Sequence, residues 1–353
     1  MSGGCDTLTE KLAAGARLDF SEACRLWDLD LLELGNWADR VRWRLNPEPR
    51  VTYVIDRNIN YTNICVSGCR FCAFYRAPGE ADGYVLDWDS LAAKLAELKE
   101  HGGSGVLLQG GLNPDLPLNY YLELVSIIRK SGMTVHGFSP PEIYFLAEKN
   151  GLSSSDLIRR LMGAGLSSIP GGGAEILVDR VRRQISPNKC ATDQWLEVMR
   201  VAHQLGLKTS ATMMFGHLET RAERVEHLFR IRDLQDKTGG FTAFIPWTYQ
   251  PGGTDLKGET KGAVEYLKTL AISRLVLDNV PHLQVSWVTQ GPKVAQVALK
   301  FGADDFGSTM LEENVVAATG VGFRLQRQEI ETLIRQSGCE PRVRDHRYHL
   351  LPG

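Results

Sequence analysis

Hydrophobic positions along the chain change rhythm near residue 50. Before it, Leu26, Leu29, Leu32 and Leu34, with Trp27 and Trp37, recur as they do on helices, and Asp19 and Glu22 have the spacing of a capping box. Asn46-Pro47-Glu48-Pro49 then ends the helical run, because proline lacks an N–H and restricts the residue before it. After residue 50, short apolar runs alternate with amphipathic segments. The segments 51–63, 105–111, 134–140, 167–176, 209–216, 241–247, 284–289 (QVSWVT) and 303–308 (ADDFGS) read as strands. Between them, Asp89 is placed to cap a helix carrying Leu91, Leu95 and Leu98, and Thr192 one carrying Trp195, Met199 and Ala202. Thr220 and Glu223 have capping-box spacing, and a further helix runs through Tyr266–Leu277. Strands alternating with helices predict parallel βαβ units, and eight such strands predict an α/β fold closed as a (β/α)8 TIM barrel. An open doubly wound sheet is the rival, but its GxGxxG turn after the first strand is missing. The predicted division is a helical extension over 1–50, the barrel over 51–309, and a helical extension over 310–353 packing on the barrel.

Charge narrows the function classes. The 353 residues hold 40 Lys+Arg against 42 Asp+Glu, a net charge of −2. A dedicated nucleic-acid binder needs a basic excess or stripe, and none is present. Hydrophobic content of 43% is that of a globular chain, and no run of about 18 apolar residues is available to span a membrane. The start MSGGCDTLTEKL lacks a basic flank followed by an apolar stretch, so a cytoplasmic protein with reduced thiols is expected.

The 7 cysteines divide into two kinds. Cys5, Cys24, Cys190 and Cys339 stand alone and read as small buried hydrophobes. Cys65, Cys69 and Cys72 lie together in CVSGCRFC, a C-x3-C-x2-C spacing. Three thiolates hold three irons of a [4Fe–4S] cluster, and with no fourth cysteine nearby one iron stays open to a small molecule. Zinc or a redox thiol is the competing reading, although a structural zinc site needs four ligands and no second cysteine pair exists. Other polar signals also fall after the predicted strands: QGG, SPPE, GGGAE, GHLE and PWTYQPGG. A barrel collects ligands at that end of its strands.

The motif C-x3-C-x2-C, with Phe71 before its last cysteine and lying in the first loop of a repeating βα chain, resembles the signature of the radical SAM enzymes. That resemblance implies a [4Fe–4S] cluster on Cys65, Cys69 and Cys72. Its open iron binds S-adenosylmethionine, and one-electron cleavage yields a 5′-deoxyadenosyl radical. Gln109, Gly110 and Gly111 match the position of the family's GGE element, which meets the methionine amine; here the acidic member is missing. Phe74 matches a position whose backbone contacts adenine. Met214, Gly216 and Glu219 are similar to a GxIxGxxE element, with Thr212 in place of its first glycine. Met214 would then touch adenine, while Glu219 is structural. Glu175 in GGGAE is the candidate for a ribose hydroxyl or for substrate.

Residues 57–76, 110–121, 138–143, 165–182, 212–220, 239–247 and 286–296 together resemble one subgroup, the futalosine-pathway enzymes of menaquinone biosynthesis and their deazaflavin-synthase relatives. VDRVR (178–182) and SWVTQGPKV (286–294) are most similar to the branch that cyclises dehypoxanthine futalosine. The branch that adds a radical to an enolpyruvyl ether is the alternative, and a non-catalytic Fe–S or zinc protein is the reading from another class. The resemblance implies a small-molecule substrate and a reducing partner such as flavodoxin or ferredoxin. Trp247, Tyr249 and Trp287 are candidate apolar walls, and His136 and His217 candidates for a final deprotonation. Arg76 and Lys293 are candidates for a substrate carboxylate.

Overall fold

The computed structural model describes residues 5–352, with side chains from Leu8 onward; the first four residues of the stretch read for a leader, and the Cys5 side chain, lie outside it. Three helices precede the barrel, Cys5–Ala14, Phe20–Arg25 and Leu31–Leu45. The Asp19–Glu22 capping box forms as its spacing predicts, and the third helix stops at Asn46. Arg232 ties this extension down through the Leu18 carbonyl at 3.0 Å, and Lys268 does so through the carbonyls of Trp27 and Leu29.

The first long strand is broken at one residue, giving β1 (Arg50–Val54) and β2 (Asp56–Asn60). Then follow β3 (Gly105–Gln109), β4 (Thr134–Gly137), β5 (Leu166–Ile169), β6 (Lys208–Phe215), β7 (Phe241–Thr248), β8 (His282–Leu283), β9 (Asp305–Ser308) and β10 (Glu340–Val343). Strands β2 to β8 form one seven-stranded sheet in sequence order, and every named pairing is parallel. The gap between its edges is bridged by β9. On one side Val285 N donates to Asp305 O (3.0 Å); on the other Thr52 N donates to Asp304 O (3.1 Å) and Thr309 N to Val54 O (3.0 Å). Strand β10 pairs with β1 from outside the ring.

Apolar side chains of these strands face outward under the helices. Ile59, Val106, Leu108 and Val135 are fully buried there, with Leu91, Leu95 and Leu98 of the helix Trp88–Glu100 in the same core. Many inward positions are polar: Asp56, Asn58 and Asn60 on β2, Gln109 on β3, His136 on β4, Ser210 and Thr212 on β6 line a central cavity of about 390 Å³, between apolar walls that include Leu107 on β3 and Ile245 and Trp247 on β7. Barrel interiors are ordinarily filled by branched apolar side chains, so a hollow interior with polar groups set among apolar walls marks a ligand chamber.

Three sequence expectations need correction. Asp87, not Asp89, caps the helix Trp88–Glu100, accepting from Ser90 N at 2.8 Å. The helix Thr192–Gln204 is capped from Ala191, whose N–H donates to Gln194, while the Thr192 N–H donates to Asp179. QVSWVT is not one strand. Ser286 N turns away to the Tyr266 hydroxyl, Trp287–Gln290 is helical, and Gly291 at φ 79° makes the exit turn that only glycine adopts without strain. The C-terminal extension carries the expected helix, Arg327–Gln336, and in addition the strand β10 and a tail that returns beneath the barrel.

Candidate active site

The cysteine loop leaves β2 and is closed at its neck by two backbone bonds, Cys65 N to Arg76 O (2.9 Å) and Arg76 N to Asn63 O (2.8 Å). Arg70 clamps its far side, donating to Ile185 O and accepting from Leu256 N. Cys65, Cys69 and Cys72 all line the cavity, and none is in a disulfide. The Cys65 sulfur accepts from the N–H groups of Ser67 (3.4 Å) and Leu112 (3.2 Å). Burial pushes the Cys69 thiol up to about 11 and raises that of Cys72, where the N–H groups of Tyr75 and Phe74 act in the opposite sense. Such thiols keep their protons until a metal displaces them. Sulfurs supplied with backbone donors and facing one chamber fit the three-thiolate seat of an iron–sulfur cluster. Among the described residues no three His, Cys, Asp or Glu side chains converge on a single-ion position, so the zinc alternative has no preformed site.

Gln109, Gly110 and Gly111 end β3 against this loop and line the cavity. A Cβ on Gly110 would meet the Tyr61 ring at 2.5 Å; one on Gly111 would meet Ile64 O at 2.2 Å and Cys65 Cβ at 2.9 Å. Both glycines are therefore required by close packing. The turn is held by Glu142, which the sequence reading passed over. Its Oε1 accepts from Gly110 N (3.0 Å) and Tyr61 OH (2.7 Å), and its Oε2 from Ser139 N (2.7 Å) and Ser139 Oγ (2.5 Å). The signal was present: Ser139 and Glu142 have capping-box spacing.

Glu175 lines the cavity with φ at 41°, a strained value for a side chain other than glycine's. Lys189 donates to its Oε1 at 3.0 Å and lies 5.1 Å from the Phe71 ring, while Oε2 is buried with no hydrogen-bond partner among the described residues and lies 3.7 Å from an Arg182 guanidinium nitrogen. Burial opposes the Lys189 charge, but the Glu175 carboxylate, and the Cys69 sulfur once it is ionised, outweigh it. Phe74, Trp247 and Trp287 line the same chamber, Trp287 donating Nε1–H to Ser308 O at 3.0 Å. His136 is there too, Nδ1 at 2.7 Å from Ser168 Oγ and its ring stacked on His346; burial holds it neutral, well below the ordinary histidine range.

Four candidates and one wall residue do not line the cavity. Met214 is buried, and its backbone N donates to Glu175 O at 3.0 Å. His217 is enclosed, Nε2 at 3.0 Å from Met214 O and Nδ1 at 3.2 Å from Glu219. Arg76 turns back on the carbonyls of Ala73, Phe74 and Tyr75, and Lys293 is exposed at the start of the helix Pro292–Ala298. Tyr249 is spent on Thr254 and the Leu256 carbonyl. The opposite end of the chamber is built by residues that no sequence pattern marked: Arg344, His346 and Tyr348 of the tail.

Comparison with known proteins identifies the family. The radical SAM superfamily profile matches residues 59–231, and the CofH/MqnC C-terminal region profile matches 238–352. The chain is 44% identical over 350 residues to the cyclic dehypoxanthine futalosine synthase of Halalkalibacterium halodurans, covering 98% of this chain and 95% of that protein. It is 46% identical over 351 residues to the enzyme of the same name from Streptomyces coelicolor, covering 98% and 88%. The aminodeoxyfutalosine synthase of Thermus thermophilus is 38% identical over 97% of this chain and 94% of its own. Among solved structures, methylornithine synthase superposes with a TM-score of 0.75 at 20% identity, covering 95% of this chain and 97% of that one, a likeness of fold.

Proposed function

This chain belongs to the radical SAM superfamily, and on that premise we propose that it converts dehypoxanthine futalosine to its cyclic product in menaquinone biosynthesis. The observation that carries this reading is the 44–46% identity to cyclic dehypoxanthine futalosine synthases over nearly the whole chain, against 38% to aminodeoxyfutalosine synthase. The chemistry supplied by a bound cluster and S-adenosylmethionine is one-electron cleavage of the sulfonium and removal of the ribose C4′ hydrogen; closure on the benzoate ring then releases one electron and one proton.

The protein's part is seating, orientation and dryness. Cys65, Cys69 and Cys72 would hold the cluster. The Gly110–Gly111 backbone, fixed by Glu142, offers a close approach for the amino-acid end of S-adenosylmethionine. Lys189 supplies a buried cation and Glu175 an acceptor for hydroxyls. Trp247 and Trp287 wall the chamber, which holds the substrate folded so that C4′ and the ring carbon stay near each other, a proximity effect. His136 is neutral, and its Nε2 makes no hydrogen bond among the described residues; it is our choice for accepting the final proton. Among the described residues no helix is long and apolar enough to cross a membrane. A reducing partner such as flavodoxin or ferredoxin and a cytoplasmic setting belong to this proposal, supported by the need for an electron and for free thiols.

The test is anaerobic incubation of the reconstituted enzyme with dithionite, S-adenosylmethionine and substrate deuterated at C4′. Deuterium is expected in 5′-deoxyadenosine, with a product two hydrogens lighter than substrate. Turnover of an enolpyruvyl benzoate ether without that transfer would move the assignment to the aminofutalosine branch.

A further inference from the structure

The end of the chamber formed by the tail holds features that packing alone does not explain. Tyr348 has φ at 67°, and it, Glu175 and Met310 are three of the four residues other than glycine in the left-handed region among the described residues; all three line the cavity. Strain of this kind persists where the surroundings impose it and gathers at functional sites. The Tyr348 ring is pinned, stacked 4.1 Å from His282 with the Arg344 guanidinium 3.9 Å from its face. Yet its hydroxyl is buried with no hydrogen-bond partner among the described residues. On the inner face of β2, Asn58 is 5% exposed and its Oδ1 is likewise buried and unpartnered. Buried polar groups without partners cost free energy, and two of them on residues that line one chamber suit a ligand that completes them.

The charged groups nearby are already matched. Arg344 pairs with Asp305, and His346 Nε2 lies 2.8 Å from Asp56. What is left over at this end among the described residues is the Tyr348 hydroxyl, the Asn58 amide oxygen and the second ring nitrogen of His346; the hydroxyl and the amide are neutral groups that both donate and accept. A carboxylate only accepts and seeks a cation, whereas a sugar hydroxyl also does both. We propose that Tyr348 and Asn58 hydrogen-bond the hydroxyl-bearing end of the substrate, so that the C-terminal tail is a specificity element of the barrel. The inference rests on the function proposed above for its choice of substrate.

Tyr348→Phe removes only an unpartnered oxygen and keeps the stacked ring. A purely structural Tyr348 predicts unchanged KM and equal or higher Tm. The inference predicts that Tyr348→Phe and Asn58→Ala each raise KM about tenfold. Iron content, Tm and substrate-independent 5′-deoxyadenosine formation in the holoenzyme stay at wild-type levels or above. Calorimetric binding of dehypoxanthine futalosine to the holoenzyme with S-adenosylmethionine shows the same weakening. An analogue lacking one ribose hydroxyl is discriminated by wild type and not by the variant that has lost its partner. If Asn58→Ala fails to accumulate, Asn58→Ser takes its place. Wild-type KM in both variants overturns this inference and leaves the proposed function standing. A wild-type enzyme that neither binds nor turns over dehypoxanthine futalosine overturns both.

Discussion

The carboxylate of Glu142 accepts the backbone N–H of Gly110 at 3.0 Å, from a helix that begins one strand further along the barrel. The same side chain caps its own helix through Ser139 and takes the Tyr61 hydroxyl, so one buried anion fastens three segments around the QGG turn. All four of its contacts are donors, which an acceptor-only carboxylate satisfies and an amide does not.

Glu142→Gln is accordingly expected to turn an amide N–H₂ toward at least one donor. Leaving a buried donor unmatched costs about 1–3 kcal/mol. The turn should loosen, so that S-adenosylmethionine binds more weakly by calorimetry while iron content stays near wild type. Equal affinity in the variant would show that the turn holds its shape without Glu142.

What could be read from the sequence follows the range of the interactions. CVSGCRFC was legible because its three cysteines are local, and the strands were legible because alternation survives whichever face it serves. The facing of the strands was not legible. Asp56-Arg57-Asn58-Ile59-Asn60 alternates equally well with its polar side in or out, and only closure of the ring puts Asn58 inside. QVSWVT has strand composition, but the Tyr266 hydroxyl captures the Ser286 N–H and ends the strand. The tail is the extreme case. His346 reaches Asp56 across a sequence separation of 290 residues, so no spacing within either segment announces the contact. Glu142, by contrast, sat in a recognisable capping box; its second set of partners, Gly110 and Tyr61, was the hidden part.

The cysteines separate cleanly by environment. Cys65→Ala, Cys69→Ala and Cys72→Ala should each abolish the brown visible absorption of the reconstituted protein, because each removes one of the three proposed ligands. Cys190→Ala should keep it. That thiol is buried in the hydrophobic core with its sulfur 4.0 Å from Arg182, and its loss is a packing defect. Full iron and sulfide content in any of the first three variants, or its absence in Cys190→Ala, would refute this ligand set.

Stability should fall in mild acid, and the direction follows from two buried histidines. Burial lowers His203 from 6.5 to about 4 and His227 from 6.5 to about 3. His203 is held between the hydroxyls of Thr238 and Thr209, each at 2.7 Å, and His227 accepts the Leu177 N–H at 3.0 Å. Both therefore stay neutral in the folded protein well below the pH at which the unfolded chain takes up protons. Below about pH 6.5 the unfolded state binds more protons than the native state, so the stability of unfolding rises with pH there and is lost as pH falls. The native state begins to gain these protons only near the two lowered values. From pH 6.5 to 5.5 each group contributes a loss of about 1 kcal/mol, or about 2 kcal/mol for the pair. Urea unfolding at the two pH values measures this directly. His227→Gln retains an acceptor for Leu177 but does not titrate, so about half of the pair's acid sensitivity should disappear in that variant. An unchanged difference between pH 6.5 and 5.5 in His227→Gln would show that His227 is not a source of the linkage.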